Sequence, residues 1–439
     1  MLKKFNNASI LFFMILVLFF VIYFVIFYRY LQKNMRTIYV DLTVSVILII
    51  LIIVFILITL LCLLAYGIGL IPKFKIDHNI WMKRFIFFVR LSLSLFITFI
   101  LFGFGTQLLA YTPPILDENG DKIRNSIAVL ERIKLGNTNQ YITIRGKDQE
   151  KSILLFLAGG PGGSQLAATR SILSDLEDDF IVVNWDQPGS AKSFLTVPRK
   201  SITIDRYISD AHELTNYLQE RFNQEKIYIV GQSWGSALAI LLAQKYPEDY
   251  YAVIGAGQMV AFIETEIYCY NKALEIALAK ADSKLVKKLK AQGAPPYYKE
   301  ISLKSANYLM YLYKEMLRNP NINHNSHNTI TDISGSEYGV FDKINYFIAL
   351  YKTFDHVYPQ LYDYDLRIDA SNIEVPVYIL HGKYDLNAPI YLVQDYFTVL
   401  NAPYKELICF EHSGHDLWID ESELFIDTIK YILNNENIM

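Results

Sequence analysis

Three long apolar runs open the chain, and a regular alternation of much shorter ones fills the rest. Ala8 to Tyr28 is uncharged and almost wholly apolar, Leu42 to Pro72 likewise, and Leu91 to Leu116 is uncharged and mostly apolar. Each exceeds the roughly 18–20 residues that a helix needs to cross the hydrocarbon core of a bilayer. They predict three transmembrane helices, at about residues 8–28, 42–70 and 88–110, with Arg90 near one end of the third, where its stem can snorkel. The first run is too long for a cleavable signal, and Arg29-Tyr30-Leu31 offers no small-residue cleavage site.

From about Asn125 the period changes. Short apolar or β-branched runs at Ile127–Leu135, Tyr141–Arg145, Ile153–Leu157, Phe180–Trp185, Lys226–Val230, Tyr251–Gly255, Val375–Leu380 and Glu406–Phe410 read as strands. Helical patterns fall between them at Ile204–Phe222, Trp234–Lys245, Ala388–Leu400 and Glu421–Asn434. Such alternation predicts a mainly parallel sheet with helices on both faces. The first two strands, joined by Gly136-Asn137-Thr138-Asn139, predict an antiparallel hairpin at one edge. The alternation stops over residues 258–371, where helical spacings recur at Ile267–Ala279, Ser283–Ala291 and Leu303–Leu317. This insertion reads as a helical cap. The expected organisation is a membrane region over 1–112, an α/β core over 113–257 and 372–439, and the cap between.

Charge divides the chain in the same place. Of 41 basic and 44 acidic residues, ten and two lie in the first 110 positions. A basic first quarter beside an acidic remainder fits a bilayer partner and gives no reason to expect nucleic acid. With the N-terminus inside, Lys3, Lys4, Lys73, Lys75, Lys83 and Arg84 lie inside, against Arg29, Lys33 and Arg36 outside. The excess predicts an extracytoplasmic catalytic domain on a multi-pass anchor. Cys62, Cys269 and Cys409 form no disulfide framework and no metal-ligand spacing. The polar patch Asn319–Thr331, with His324, His327 and nearby Asp332, reads as a cap loop rather than a metal site, and no cofactor is expected.

The chemistry centres on Gly231-Gln232-Ser233-Trp234-Gly235-Ser236, directly after an apolar strand and before a helix. A serine on so sharp a turn projects its hydroxyl from the sheet, and the flanking glycines let strand and helix approach. Ser233 is the candidate nucleophile. In the chain order of such sites, an acid and then a histidine follow. Asp385 lies in the loop after Val375–Leu380, with an N-cap near Pro389 as its plainer reading. His415 follows the small pair Ser413-Gly414, while His412 reads as a strand-end residue. A base is required because a serine hydroxyl is a weak nucleophile near neutral pH. Ala158-Gly159-Gly160-Pro161-Gly162-Gly163-Ser164 follows the third strand, so Gly160 and Trp234 are the expected oxyanion donors. A phosphate loop is the weaker reading, since no Gly-Lys-Ser/Thr follows.

These motifs, with Trp185-Asp186-Gln187-Pro188-Gly189-Ser190, Gly382-Lys383-Tyr384-Asp385 and Ser413-Gly414-His415, resemble the prolyl iminopeptidase branch of the α/β-hydrolases over residues 125–437. The resemblance implies an α/β-hydrolase fold, release of an N-terminal residue, often proline, and cap acids that hold the substrate's free amino group. Glu264, Glu266 and Glu315 are the candidates for that role. Two positions depart from the family pattern. Ala158 stands where histidine is usual, and Pro188 where arginine is usual; both bear on substrate identity and leave the triad intact. The expected substrate is therefore a peptide, with an acyl ester or lipid as the alternative. A non-catalytic binding or sensory role is the alternative of another class.

Overall fold

The computed structural model describes residues 2–34, 37–71, 73, 77–324 and 333–436. They fall into two compact units, one of Met1–Tyr111 with Ile333–Lys343, the other of Thr112–Asp332 with Ile344–Met439.

In the second unit the eight expected strands form one sheet: β1 (Ile127–Leu135), β2 (Thr138–Gly146), β3 (Ser152–Leu157), β4 (Phe180–Asp186), β5 (Ile227–Gln232), β6 (Tyr250–Ala256), β7 (Val377–Gly382) and β8 (Lys405–Phe410). Their order is β1-β2-β4-β3-β5-β6-β7-β8. β1 pairs antiparallel with β2, and β2 with β4, while all later pairs are parallel. The β1–β2 register runs to Leu135 opposite Thr138. Only Gly136 and Asn137 are left in the turn, at φ 51° and 62°. Two successive left-handed residues make the hairpin turn whose twist matches the strands.

Alternate residues of the central strands enter opposite cores, as a two-residue period requires. Ile153, Leu155 and Leu157 pack with the helices Ile204–Phe222 and Trp234–Lys245, whereas Leu154 and Phe156 pack with Phe425, Ile429 and Ile432 of the helix Ser422–Glu436. Both faces are therefore covered. From β3 the chain moves one way to β4, and then returns to the other side of β3 as β5. The ends of β3 and β5 thus flank a topological switch point, where open α/β sheets leave a crevice for ligands.

Between β6 and β7 lie the helices Phe262–Ala279, Ser283–Gln292, Ile301–Leu317 and Val340–Val357. The first three answer to expected segments. The fourth has no counterpart among the expected segments: Tyr346, Ala349 and Val357 are buried while Ile344, Phe347 and Ile348 on the opposite side are exposed, so a single apolar face is lacking. His327, Asp332 and most of the Asn-rich patch fall outside the described residues.

The first unit contains three helices long and apolar enough to cross a membrane, at Ile10–Gln32, Tyr39–Gly69 and His78–Leu108. The third begins earlier than expected. Asp77 caps it, accepting from the Asn79 N–H at 2.9 Å. Lys83 and Arg84 thus lie on the helix, and Arg90 sits well inside it rather than near an end. Charged side chains are poor guides to a helix start, because they limit burial in lipid rather than helix formation. Residues 333–343, expected in the cap, also pack in this unit. The Val340 N–H bonds Thr106 Oγ1 at 3.0 Å, and Gln107 Nε2 donates to Asp342 at 3.0 Å. Lys343 is ion-paired with Asp41, both buried. Gly103 makes room, since a Cβ there would lie 2.3 Å from the Phe341 ring.

Candidate active site

β5 ends at Gln232, and Ser233 takes φ 53° and ψ −120° before the helix Trp234–Lys245 begins. A non-glycine residue in that region is strained and persists only where its surroundings hold it. Here its N–H is bonded to Ala256 O at 2.9 Å, and its carbonyl accepts from Ser236 Oγ at 2.6 Å. The glycines are obligatory for close approach. A Cβ on Gly231 would lie 2.0 Å from the Gly235 carbonyl oxygen, and one on Gly235 would lie 2.2 Å from that of Leu157.

The glycine-rich loop leaves β3 beside this turn, with Gly160 at φ 134°. Gln187, in the loop after β4, ties the two together: its Nε2 donates to Ala158 O at 2.9 Å, and its Oε1 accepts from Trp234 Nε1 at 3.1 Å. Nothing in the sequence pointed to that bridge. Asp186 beside it accepts from Ser164 Oγ and from the Lys192 N–H.

Asp385 lies in the loop leaving β7, with a fully buried carboxylate. One oxygen accepts from the N–H groups of Asn387 at 2.7 Å and Ala388 at 2.9 Å. The other accepts from His415 Nδ1 at 2.7 Å. It does not cap the next helix, whose N-cap is Pro389. The loop after β8 approaches closely, because Gly382 has no side chain to strike the Gly414 carbonyl. Glu421 accepts from the His412 N–H and from Ser413 Oγ, and Asp420 accepts from the Gly414 N–H, so two carboxylates pin the loop that carries His415. His412 itself is exposed, its ring nitrogen 3.2 Å from Asn321 O.

Burial opposes a charge on His415, but the neighbouring Asp385 carboxylate outweighs it and lifts the imidazole up to about 9. For Asp385, burial is likewise outweighed by His415, and its carboxyl is held below the ordinary range. Donation from Nδ1 to Asp385 leaves the Nε2 lone pair available in the neutral ring, an assignment made from the hydrogen-bond network.

Two cavities meet at this point, sharing Gly160, Ser233 and His415 in their walls. The inner one, about 80 Å³, also has Trp234, Phe262, Glu266, Phe354 and Tyr358 in its lining. The outer one, about 410 Å³, includes Gln232, Tyr313, Tyr346, Leu350 and Trp418. The structure thus brings Ser233, His415, Gly160 and Trp234 to one place, with Asp385 bonded behind His415.

Of the three cap acids, it brings only Glu266. Glu264 is half exposed and paired with Arg367 at 2.6 Å, and Glu315 is paired with Lys280 and Arg318 on another side of the cap. Both face ordinary ion-pair partners rather than the cavity. Glu266 accepts from Ser305 Oγ at 2.8 Å, Tyr358 Oη at 3.0 Å and Tyr308 Oη. Burial raises its carboxyl above the usual range, and the three hydroxyls only partly offset this. With 32 tyrosines in the chain, no sequence signal could single out Tyr308 and Tyr358.

Comparison with known proteins bears on the fold and the family. Residues 152–267 match the family model for the alpha/beta hydrolase fold. A probable aminopeptidase of Bacillus subtilis, YbaC, is 32% identical over 311 residues, covering 70% of this chain and 96% of that protein. A proline iminopeptidase of Elizabethkingia meningoseptica is 23% identical over 313 residues, covering 68% of this chain and 95% of the relative. The crystal structure of proline iminopeptidase from Mycobacterium smegmatis superposes with a TM-score of 0.54 at 15% identity, over 70% of this chain and 99% of that one. The chain belongs to the α/β-hydrolases, in the branch that resembles the proline iminopeptidases.

Proposed function

We propose that the protein is a membrane-anchored serine aminopeptidase that releases an N-terminal residue, proline or one of similar size, from short peptides. The observation that carries this reading is Glu266, a buried carboxylate in the same small cavity as Ser233 and His415. A free α-amino group is largely protonated at neutral pH. In a poorly hydrated cavity it needs a carboxylate partner, since an unpaired buried charge costs several kcal/mol. Glu266 supplies that partner and is in turn stabilised as a carboxylate by the arriving ammonium. The inner cavity then receives the residue to be released, and its small volume favours a compact side chain. The rest of the peptide lies in the outer cavity.

In this reading His415 Nε2 takes the Ser233 proton as Oγ attacks the carbonyl carbon of the first residue. Asp385 fixes the tautomer and stabilises the imidazolium. The N–H groups of Gly160 and Trp234 receive the developing oxyanion, at the positive end of the helix Trp234–Lys245. His415 returns the proton to the departing amine. Water, activated by the same imidazole, then hydrolyses the acyl-enzyme. The relatives named as aminopeptidases and the three apolar helices support the reading.

The test compares prolyl and alanyl anilides with their N-acetylated forms and with p-nitrophenyl acetate. Glu266→Gln should lower kcat/KM for the free amines by roughly 2–5 kcal/mol in apparent transition-state binding and scarcely change the ester. Acetylation of the substrate should imitate the substitution. Equal turnover of free and acetylated substrates, with no discrimination by Glu266→Gln, would replace the peptidase reading by the esterase one.

A further inference from the structure

The inner cavity holds more hydrogen-bonding capacity than its own walls use. Thr265 is 3% exposed on the helix Phe262–Ala279, one position before Glu266, and both line the cavity with Ser233. Its hydroxyl oxygen is buried and has no hydrogen-bond partner among the described residues. A threonine within a helix can turn its hydroxyl back onto the carbonyl one turn earlier, and here that local bond is not made. Asn387, in the loop after β7, reaches the same cavity, and its side-chain oxygen is likewise buried and unpartnered among those residues. Its backbone N–H donates to Asp385 at 2.7 Å, which ties its position to that of the His415 partner. Leaving a buried polar atom unpaired is costly, and native proteins rarely do so without a reason. Two such atoms beside a buried carboxylate and the serine call for a ligand that brings donors.

The bonds that Glu266 already makes fix how many donors. Its Oε2 accepts from Ser305 Oγ and Tyr308 Oη, whereas Oε1 accepts from Tyr358 Oη alone. Each carboxylate oxygen has two lone pairs, so one position remains, on Oε1. With Thr265 Oγ1 and Asn387 Oδ1, the side chains offer three acceptors to an arriving cation. The Asn387 amide can turn either way about its last bond, and a cation selects the oxygen. A primary ammonium carries three N–H groups, and a secondary one such as protonated proline carries two. Glu266 by itself could balance the charge of either. The neutral acceptors tell them apart, because a secondary ammonium leaves one of them buried and unmet.

We propose that Thr265 and Asn387 complete the ammonium site with Glu266 and set it for a primary amine. The substrate class is then a peptide whose first residue is small and carries a primary amino group, as alanine does and proline does not. The remaining wall is largely apolar, with Phe262, Leu309 and Phe354 in it, and takes a compact side chain. The inference rests on the aminopeptidase reading for the bond that is cleaved, and it decides which residue is released.

The experiment measures kcat/KM of the full chain for the alanyl, N-methylalanyl and prolyl p-nitroanilides. The alanyl compound should exceed the N-methylalanyl one by about tenfold or more, since hydrogen bonds from a charged donor are the stronger kind. The prolyl compound should fall with the N-methylalanyl one. Thr265→Val and Asn387→Leu each nearly keep the side-chain shape and remove one acceptor. A secondary ammonium fills the two that remain and a primary one is left with an unmet N–H, so each substitution should cut the alanyl-to-N-methylalanyl ratio by roughly threefold or more. Thr265→Ser keeps the hydroxyl and should keep the ratio. A wild-type ratio near one, with both amines cleaved, overturns the inference and leaves the aminopeptidase reading standing. A high ratio that survives both substitutions means that the extra methyl group is excluded by its size, and overturns the inference as well. Hydrolysis of p-nitrophenyl acetate with no anilide cleaved defeats the aminopeptidase reading itself.

Discussion

At the scale of single residues, the proposed mechanism joins a hydroxyl, an imidazole and a carboxylate, of which His415 and Asp385 are hydrogen-bonded. Ser233→Ala, Asp385→Asn and His415→Ala should each lower kcat by several orders of magnitude with the fold retained, and their effects should not add, because they serve one step. His412→Ala should stay near wild type, since that ring is exposed and bonded to Asn321 rather than to Asp385. The pH dependence has a definite sign. Asp385 raises His415, and the base acts only when neutral, so activity should climb with pH along a limb whose midpoint lies above 6.5 and towards 9. Asp385→Asn removes the attraction that raised it and should move the limb down. A wild-type limb at or below 6.5 in the pH profile of kcat/KM would mean that the Asp385 pair does not control the base.

At the scale of elements, the precision comes from glycine. The turn at Ser233 exists because β5 and the following helix touch backbone to backbone at Gly231 and Gly235. Gly231→Ala places a methyl group 2.0 Å from a carbonyl oxygen that cannot step aside. Overpacking of this kind costs about 1–3 kcal/mol. Thermal unfolding should show a loss of that order together with reduced activity; an unchanged melting temperature would mean that the turn is looser than its geometry. Gln187 joins the glycine-rich loop after β3 to the same helix by a bond at each end of its amide. Gln187→Met should therefore lower kcat more than it raises KM, measured on the same anilide. These contacts also explain what could be read in advance. Gly-x-Ser-x-Gly and Gly-Gly-Pro-Gly-Gly are legible because backbone proximity demands one residue type at fixed spacing. A glutamine that bridges a loop and a helix obeys no such spacing, so the motif that contains Gln187 does not reveal the bridge.

At the scale of the whole chain, the question is which side of the membrane the hydrolase unit occupies. We propose the extracytoplasmic side, from six basic residues in the loops or the adjoining helix start assigned inside, Lys83 and Arg84 lying within the first two turns of the third helix, against three outside. Cys409 is exposed, whereas Cys62 and Cys269 are buried, so one native thiol reports the orientation. A membrane-impermeant maleimide should label it in intact cells, and Cys409→Ser should abolish the signal. Labelling only after lysis would place the unit inside.

The sequence by itself determined where the eight strands lie along the chain, the hairpin at the edge and the sharp turn at Ser233. All of these depend on local period, on turn chemistry or on a backbone that tolerates only glycine, and such constraints are written position by position. The third apolar helix starts at His78, about ten residues before its uncharged run suggests, because Lys83, Arg84 and Arg90 say where lipid is unwelcome and nothing about where a helix begins. The tertiary structure decided the rest. Glu264, Glu266 and Glu315 are equal as residues, and their difference arises only from what folds over them: Arg367 and Lys280 draw two of them aside, while Tyr308, Tyr358 and Ser305 enclose the third. Likewise no local pattern could assign Lys343 to Asp41, some three hundred residues earlier in the chain. A buried charge is settled by its partner in space, and the chain alone does not say which carboxylate that will be.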